Sequence, residues 1–272
     1  MPLTGLIPSR PARVILRLTG EEARGFLQDL VSNDIRAAQG DQAVYAALLT
    51  PQGKYLADFI VVPEGPQDLL LDVSRDHAQA LGQRLAMYRL RRQVGIEVAP
   101  LAVALAWGGV LPDLPPEIRA IADPRDPALG WRLYAPDAEA ALQALGVPAA
   151  DAGAYDALRI AHAVPEAGLE LTPDSFILEA GFERLHGVDF RKGCFVGQEI
   201  VARMKHKTEL RKGLVRVAVE GPAPEPGAPI QTAEGRNAGT LHTVARGEGL
   251  ALLRFDRAEG ELTAGEAHLR RL

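Results

Sequence analysis

The stretch Lys192-Gly193-Cys194-Phe195-Val196-Gly197-Gln198-Glu199 is the most distinctive part of this sequence and holds its only cysteine. Arg191 and Lys192 precede the cysteine, and the helix-compatible run Ile200–Met204 follows the stretch. Because nearby cations and a helix N-terminus both favour a thiolate over a thiol, this pattern predicts a reactive cysteine. The alternative is a small buried thiol between glycines that allow close packing.

A single cysteine also limits the metal sites and covalent links that the chain can form. It excludes an intrachain disulfide, and no cluster of cysteine and histidine has zinc-finger spacing. One thiolate cannot hold an iron–sulfur cluster, which normally takes about four protein ligands. His162, His186 and His206 lie far apart in the sequence, and we expect them to be structural or surface residues. The sequence therefore predicts no resident metal.

Length and charge narrow the class of protein. The 272 residues suggest about two domains, and 47% hydrophobic and 24% charged residues are typical of a soluble protein. The formal net charge of -5 gives no bulk attraction to nucleic acid or anionic lipid, so any anion site must be local. No apolar run approaches the roughly 18–20 residues that span a bilayer, and Met1–Arg10 lacks the apolar core of a signal peptide. We therefore expect a cytosolic protein without membrane contact.

Hydrophobic periodicity predicts mixed α and β structure followed by a β-rich region. The expected elements before the middle of the chain are a strand at Arg13–Leu18, a helix opened by a Thr19-to-Glu22 capping box, a hairpin of Val44–Leu49 and Tyr55–Val62, a strand at Asp68–Val73, a long helix capped by Ser74, and a strand at residues 94–99. The proline-rich segment 111–127 predicts a linker or surface connection. Helices are expected at Asp137–Leu145 and Ala154–Ile160. From Gly213 onward, short β-prone runs between glycine and proline turns are typical of a small antiparallel barrel or sandwich.

The cysteine stretch resembles the Lys-Gly-Cys-Tyr/Phe-x-Gly-Gln-Glu signature of the YgfZ proteins, folate-binding relatives of the glycine-cleavage T-protein, an aminomethyltransferase. Other segments resemble further blocks of that family in the same order, namely Gly20–Asp34, Leu48–Val62, Arg89–Ile96, Leu158–Ile160 and Val164–Glu166. The resemblance implies an α+β fold in which a ring of ferredoxin-like subdomains surrounds a central folate-sized hole. Residues 1–210 would form the folate-binding region with two α+β subdomains, and residues 211–272 an antiparallel β-barrel.

The same resemblance implies a function and a set of site residues. It predicts a protein that binds tetrahydrofolate or a one-carbon derivative and supports the assembly or repair of iron–sulfur clusters in client enzymes, including enzymes that modify tRNA. Cys194 would lie at the mouth of the hole as a thiolate, flanked by Lys192 and Arg191. The candidate folate-binding residues are Arg159, Gly193, Gly197, Gln198, Glu199 and Arg203.

Two departures from the aminomethyltransferases argue against one-carbon transfer. Where those enzymes carry a pair of acidic residues after the hairpin, this chain has Ala57 and Asp58, and where a glutamate contacts the pterin it has Ala161. Alanine neither accepts a hydrogen bond through its side chain nor transfers a proton. A folate-dependent one-carbon transferase stays as the alternative, with Asp58 and Glu199 supplying the acid and base.

Two groups of cations are local anion-site candidates on this acidic chain. The basic strip consists of Arg203, Lys205, Lys207, Arg211, Lys212 and Arg216. It could receive a folate polyglutamate tail or contact tRNA, although a solvated charged face is at least as good an interpretation. Arg84, Arg89, Arg91 and Arg92 form a second cluster, for which a solvated face is the favoured interpretation.

Overall fold

A computed structural model describes residues 3–9, 12–146, 149–207 and 209–272, so the segment Met1–Arg10 lies only partly within the described residues. Before the cysteine stretch the elements are β1 (Gly5–Pro8), β2 (Arg13–Thr19), α1 (Ala23–Gln28), β3 (Val44–Leu49), β4 (Tyr55–Pro63), β5 (Leu69–Ser74), α2 (Arg75–Arg89), β6 (Gly95–Ala99), β7 (Ala102–Trp107), β8 (Arg119–Ala122), β9 (Trp131–Ala135), α3 (Ala138–Leu145) and α4 (Ala152–Ala161). After it come α5 (Gln198–Lys207), β10 (Lys212–Glu220), β11 (Ala228–Thr232), β12 (Asn237–Ala245), β13 (Glu248–Arg254), β14 (Leu262–Ala264) and β15 (Ala267–Arg271). Short 3-10 helices occupy Ile35–Ala37, Pro127–Leu129 and Phe255–Arg257.

The first sheet is antiparallel, with strand order β3-β4-β5-β2-β6. Helices α1 and α2 cover one face, where Phe26, Leu27 and Leu85 are buried against the strands. The predicted hairpin of β3 and β4 is confirmed. The predicted capping box is wrong, because the Glu22 carboxylate makes no cap bond and accepts from the backbone N–H of Gln93. The tertiary contact between Glu22 and Gln93 has replaced the local contact that the capping box predicts for Glu22.

The second sheet is also antiparallel, with strand order β1-β7-β9-β8. Strand β8 lies within the segment 111–127, so the prediction of a linker there is wrong for residues 119–122. Prolines flank β8 without interrupting it, and β8 forms an edge of the sheet, where proline is tolerated. Buried charges join the two sheets, since Asp72 of β5 lies 2.6 Å from both the Arg13 and the Arg132 guanidinium nitrogens.

The C-terminal strands form a closed antiparallel barrel with order β10-β13-β12-β11-β14-β15. Pairing of β10 with β15 completes the ring, and apolar side chains such as Val217, Leu241 and Leu253 fill its interior. Closure leaves no open sheet edge. The predicted fold class, α+β with a C-terminal antiparallel β-barrel, is confirmed. No helix among the described residues has the length and apolar character needed to cross a membrane.

Candidate functional site

Cys194 lies on an irregular segment, residues 191–197, that leads into α5 and is called the cysteine loop below. Its thiol is free and its side chain is exposed. The alternative of a buried packing thiol is therefore wrong. The exposed thiol and the helix that begins four residues later match the predicted arrangement, while its reactivity stays a prediction.

Lys192 fixes the cysteine loop to the end of α1. Its Nζ donates hydrogen bonds to the main-chain oxygens of Gln28 and Val31, the second at 2.6 Å, and lies 5.3 Å from the centre of the Phe195 ring. Burial lowers the pKa of Lys192 to about 8, although Asp34 and Asp29 favour its charged form. Lys192 points inward as a positioning residue, with its ammonium on the carbonyl oxygens rather than on solvent.

Arg191 behaves differently from its neighbour. Its side chain is 92% exposed, and its Nε lies 3.6 Å from the carboxylate of Asp189. The prediction grouped Arg191 and Lys192 as cations flanking Cys194. The structure separates them, because the first faces solvent and the second faces the protein.

Gln198 and Gly197 hold the other end of the cysteine loop. The Gln198 Oε1 accepts from the backbone N–H of Phe195 at 3.1 Å. Gly197 has a φ of +82°, and a Cβ placed on it would lie 2.5 Å from the carbonyl oxygen of Thr50 in the β3–β4 turn. Gly193 has a φ of +99° with open space around it. Among the candidate folate-binding residues, Gly197 and Gln198 thus pack and position the loop, whereas Gly193 supplies backbone freedom beside the thiol.

The remaining candidates on α5, Glu199 and Arg203, are exposed. Ion pairs neutralise part of the basic strip: Lys205 with Glu183 at 2.5 Å, Lys212 with Glu179 at 3.3 Å, and Arg216 with Glu248 at 2.7 Å. The strip is therefore a mixed-charge surface rather than a run of unpaired cations.

Asp58 is buried in β4 between two tyrosines. Its carboxylate accepts hydrogen bonds from the Tyr55 hydroxyl at 2.7 Å and the Tyr45 hydroxyl at 3.0 Å. Burial raises the pKa of both tyrosines well above 10, and the Asp58 charge raises it further. Ala57 packs in the core beneath α1 and α2, and Ala161 is exposed at the end of α4. The structure thus commits Asp58 to internal hydrogen bonds and gives it no acidic partner at residue 57.

Arg159 joins α4 to the barrel. It is buried and donates to the carboxylates of Glu170 at 2.9 Å and Asp156 at 2.8 Å, and to the Thr243 hydroxyl of β12 at 2.5 Å. Although burial alone would lower it, the pKa of Arg159 is raised by Glu170 and its neighbours. These contacts are internal to the protein, and the folate-binding role of Arg159 stays a prediction.

A cleft of about 580 Å³ lies between the first sheet and the chain that precedes the cysteine loop. Tyr45 and Phe190 are among its walls, with Pro124, His186 and Arg191. This volume falls within the roughly 300–1,000 Å³ of small-molecule sites. His186 has a φ of +55°, a strained conformation of the kind that clusters at functional sites. The cleft therefore has the volume of a small-molecule site, and Asp58, which lies behind Tyr45, is not part of its lining.

Tyr45 and Tyr55 are not among the site residues that the sequence predicts. The available signal was their position in the two strands of a predicted hairpin whose other residues are mostly apolar, since a buried tyrosine hydroxyl usually needs a partner. The described residues contain no group of three or more metal-ligating side chains.

Comparison with known proteins shows the family of this chain. Residues 211–271 match the family described as CAF17, C-terminal beta-barrel domain. The mitochondrial iron-sulfur cluster assembly factor IBA57 of Mus musculus is 33% identical, covering 95% of this chain and 83% of the mouse protein. The human IBA57 is 34% identical, covering 92% and 78%. The chain belongs to the IBA57 family.

A solved structure extends the likeness to the whole fold. The crystal structure of glycine cleavage system aminomethyltransferase T from Bartonella henselae has a TM-score of 0.82 to this IBA57-family chain, with 16% identity, covering 100% of this chain and 85% of that one. At this identity the likeness shows the fold alone. The predicted aminomethyltransferase-like fold is confirmed, and the sequence relatives carry the name IBA57 rather than YgfZ.

The prediction of a cytosolic protein is wrong on these comparisons, because the IBA57 relatives are mitochondrial proteins. That prediction depended on the absence of membrane-spanning and signal-peptide apolar segments from the sequence. Such segments report on membranes and secretion, and they do not distinguish one aqueous compartment from another.

Proposed function

We propose that this IBA57-family protein supports iron–sulfur cluster assembly through Cys194. The observation that carries the proposal is the exposure of the chain's only thiol on a loop that is held at both ends, by Lys192 on α1 and by Gly197 on the β3–β4 turn. A thiol presented in this way is accessible to a cluster or to another protein. The names of the family's curated members describe the same process.

The cluster is cargo that this chain shares with another protein. Iron–sulfur clusters are held by about four protein ligands, and the chain has one cysteine. The described residues offer no second group of ligands. Cys194 therefore contributes a single thiolate, and the remaining ligands come from an assembly protein or a client enzyme.

The test is a Cys194→Ser variant in cells that lack their own copy of the protein. We expect loss of iron–sulfur enzyme activity with an unchanged melting temperature, because the side chain is exposed and contributes little packing. Ala202→Ser, at an exposed position of α5, is the matched control and should restore full activity. Full restoration by Cys194→Ser would overturn the proposal.

The proposed ligand of the cleft beside Tyr45 and Phe190 is a reduced folate. Its support is the resemblance in sequence, the aminomethyltransferase fold and the size of the cleft. A ligand selective for the folded state stabilises it by about 2.7 kcal/mol at 100 times its Kd, so reduced folates should raise the melting temperature. Phe190→Ala should reduce that shift, whereas Phe255→Ala on the barrel side should not. No shift with several reduced folates would end the folate proposal and leave the role of Cys194 unaffected.

The proposed clients include iron–sulfur enzymes that modify tRNA, an expectation that comes from the sequence resemblance. Direct contact with tRNA is less well supported, since the net charge is -5 and three cations of the basic strip are paired. One-carbon transfer is also less well supported, because Asp58 is bound by two tyrosines. Restored tRNA modification in the complementation assay, with no RNA binding by the purified protein, is the expected result.

A further inference from the structure

The connection between α2 and β6 has an unusual backbone. Leu90 has φ 51° and ψ -110° and its side chain is 85% exposed. A leucine rarely adopts a positive φ, and such strain persists where surrounding structure or function maintains it. Met87, one turn earlier on α2, is also 60% exposed. Two large apolar side chains therefore face solvent next to a strained connection.

The residues Arg89–Arg92, called the arginine ridge below, separate two depressions. One has a volume of about 740 Å³ and is lined by Phe26, Leu30 and Tyr88 together with the ridge. The other has a volume of about 1030 Å³ and is lined by the ridge with residues 19–22 and 93–95. An aromatic and aliphatic lining suits an apolar side chain from outside the molecule.

Three arginines line the first depression, and neighbouring groups bind two of them. Arg92 pairs with Asp29 at 2.7 Å, Arg89 donates to the main-chain oxygen of Val94 at 3.1 Å, and the Glu22 carboxylate accepts from the N–H of Gln93. Arg91 is exposed and makes no ion pair with the described residues. The depression thus combines apolar walls with an available guanidinium, which pairs best with a carboxylate.

This surface is continuous with the candidate site through the end of α1. Leu30 lines the depression, and its main-chain oxygen accepts from the N–H of Val196 in the cysteine loop at 3.4 Å. Lys192 binds the carbonyl oxygens of Gln28 and Val31 on either side. A molecule bound against Cys194 is therefore within reach of the arginine ridge.

We propose that the arginine ridge and its 740 Å³ depression dock a protein partner whose contacting segment carries an aspartate or glutamate beside a large apolar side chain. The carboxylate pairs with Arg91, and the apolar side chain enters between Leu90 and Tyr88. The proposal rests on the proposed function, since the partner is the protein that completes the cluster site at Cys194. A protein fits better than a nucleic acid, because the acidic residues Glu22 and Asp29 line the depression together with the exposed Leu90.

The experiment uses the full chain with p-benzoyl-phenylalanine placed at Tyr88, expressed in cells without their own copy and irradiated. We expect cross-linking to a protein whose linked peptide, identified by mass spectrometry, contains an acidic residue. Adding Arg91→Glu should weaken the cross-link about tenfold, because it replaces the proposed ion pair with two like charges. A cross-link to RNA or to a second copy of the chain, or one insensitive to Arg91→Glu, overturns the proposal.

A complementation assay separates this proposal from the proposed function. Leu90→Gly with Arg91→Glu should reduce iron–sulfur enzyme activity, and glycine also accepts the positive φ, so folding is preserved. The matched control, Val110→Ser with Arg270→Glu, changes an exposed aliphatic residue and an exposed arginine elsewhere and should restore full activity. If the ridge variant restores activity while Cys194→Ser does not, the docking proposal fails and the proposed function stands.

Discussion

The side-chain nitrogen of Lys192 lies 2.6 Å from the main-chain oxygen of Val31, a residue 161 positions earlier in the chain. The last carbonyl groups of a helix have no partner within the helix, and a lysine can satisfy them. Lys192 does this for Gln28 at the end of α1 and for Val31 just beyond it. Lys192, which precedes Gly193 and the exposed Cys194, therefore connects two parts of the chain that are distant in sequence.

Lys192→Met should loosen this fastening. Methionine keeps much of the aliphatic stem but leaves the carbonyl oxygens of Gln28 and Val31 without their donor, at a cost of about 1–3 kcal/mol in the free energy of unfolding. Urea denaturation measures this loss, and hydrogen exchange should show faster exchange in the cysteine loop. Lys207→Met, at an exposed position of α5, is the control and should change neither. Equal stability of the two variants would contradict the role given to Lys192.

The two glycines of the cysteine loop should respond differently to alanine. Both have positive φ, but only at Gly197 would the new Cβ meet main-chain atoms, at 2.5 Å from the Thr50 oxygen. Gly197→Ala should therefore lower the melting temperature more than Gly193→Ala, by the equivalent of about 1–3 kcal/mol for the forced displacement. Scanning calorimetry of both variants compares them directly. A larger loss of melting temperature for Gly193→Ala would mean that the β3–β4 turn moves away from the new Cβ at little cost in free energy.

The pairing of Asp72 should make stability fall in acid. Burial alone would raise its pKa, but the guanidinium groups of Arg13 and Arg132 hold the pKa of Asp72 well below its ordinary value of 3.8. A carboxyl whose pKa is lower when folded stabilises the protein fully above the unfolded value, and that contribution is lost as the pH falls below it. Urea unfolding between about pH 6 and pH 3 should show this loss in the wild type. Asp72→Asn should be less stable near pH 7 and should show a shallower acid dependence.

Arg159 provides a test of the contact between α4 and the barrel. Arg159→Met leaves the buried carboxylate of Glu170 without its cation and should cost about 3–5 kcal/mol. Thr243→Val removes only a hydroxyl that contacts both groups, so its cost should be about 1–3 kcal/mol. Denaturant midpoints measure both changes. A stable Arg159→Met variant that fails to bind reduced folates would instead favour the role first predicted for this residue.

Much of the fold followed from the sequence where apolar periodicity was clear. The hairpin of β3 and β4 and three of the barrel strands were found because alternation and turn residues coincide there. Strand β7 was missed, since nearly all its residues are buried and its apolar run shows no alternation. Strand β8 was missed because the prolines around it masked a short edge strand.

The sequence singled out the segment around Cys194, but it did not predict the directions in which the side chains of that segment point. The signature identified Cys194, whose exposure matches the reactive interpretation. Nothing local shows that Lys192 points toward α1 or that Gly197 contacts a turn near Thr50, since both contacts join residues more than a hundred positions apart. Asp58 was singled out from the sequence, but the tyrosines that enclose it are brought there by tertiary packing.

The fastened cysteine loop also has a kinetic consequence. Its two anchors, at Lys192 and Gly197, restrict the thiol before any partner arrives, so little chain entropy remains to be lost when a complex forms. Preorganised surfaces associate without a slow conformational step, typically at about 10⁵–10⁷ M⁻¹s⁻¹ for neutral contacts and faster with charge steering. In the proposed function, the lifetime of the complex, which is set by its dissociation rate, would then decide how long a cluster is shared between two proteins. Loosening either anchor would slow the encounter without removing a single atom from the interface.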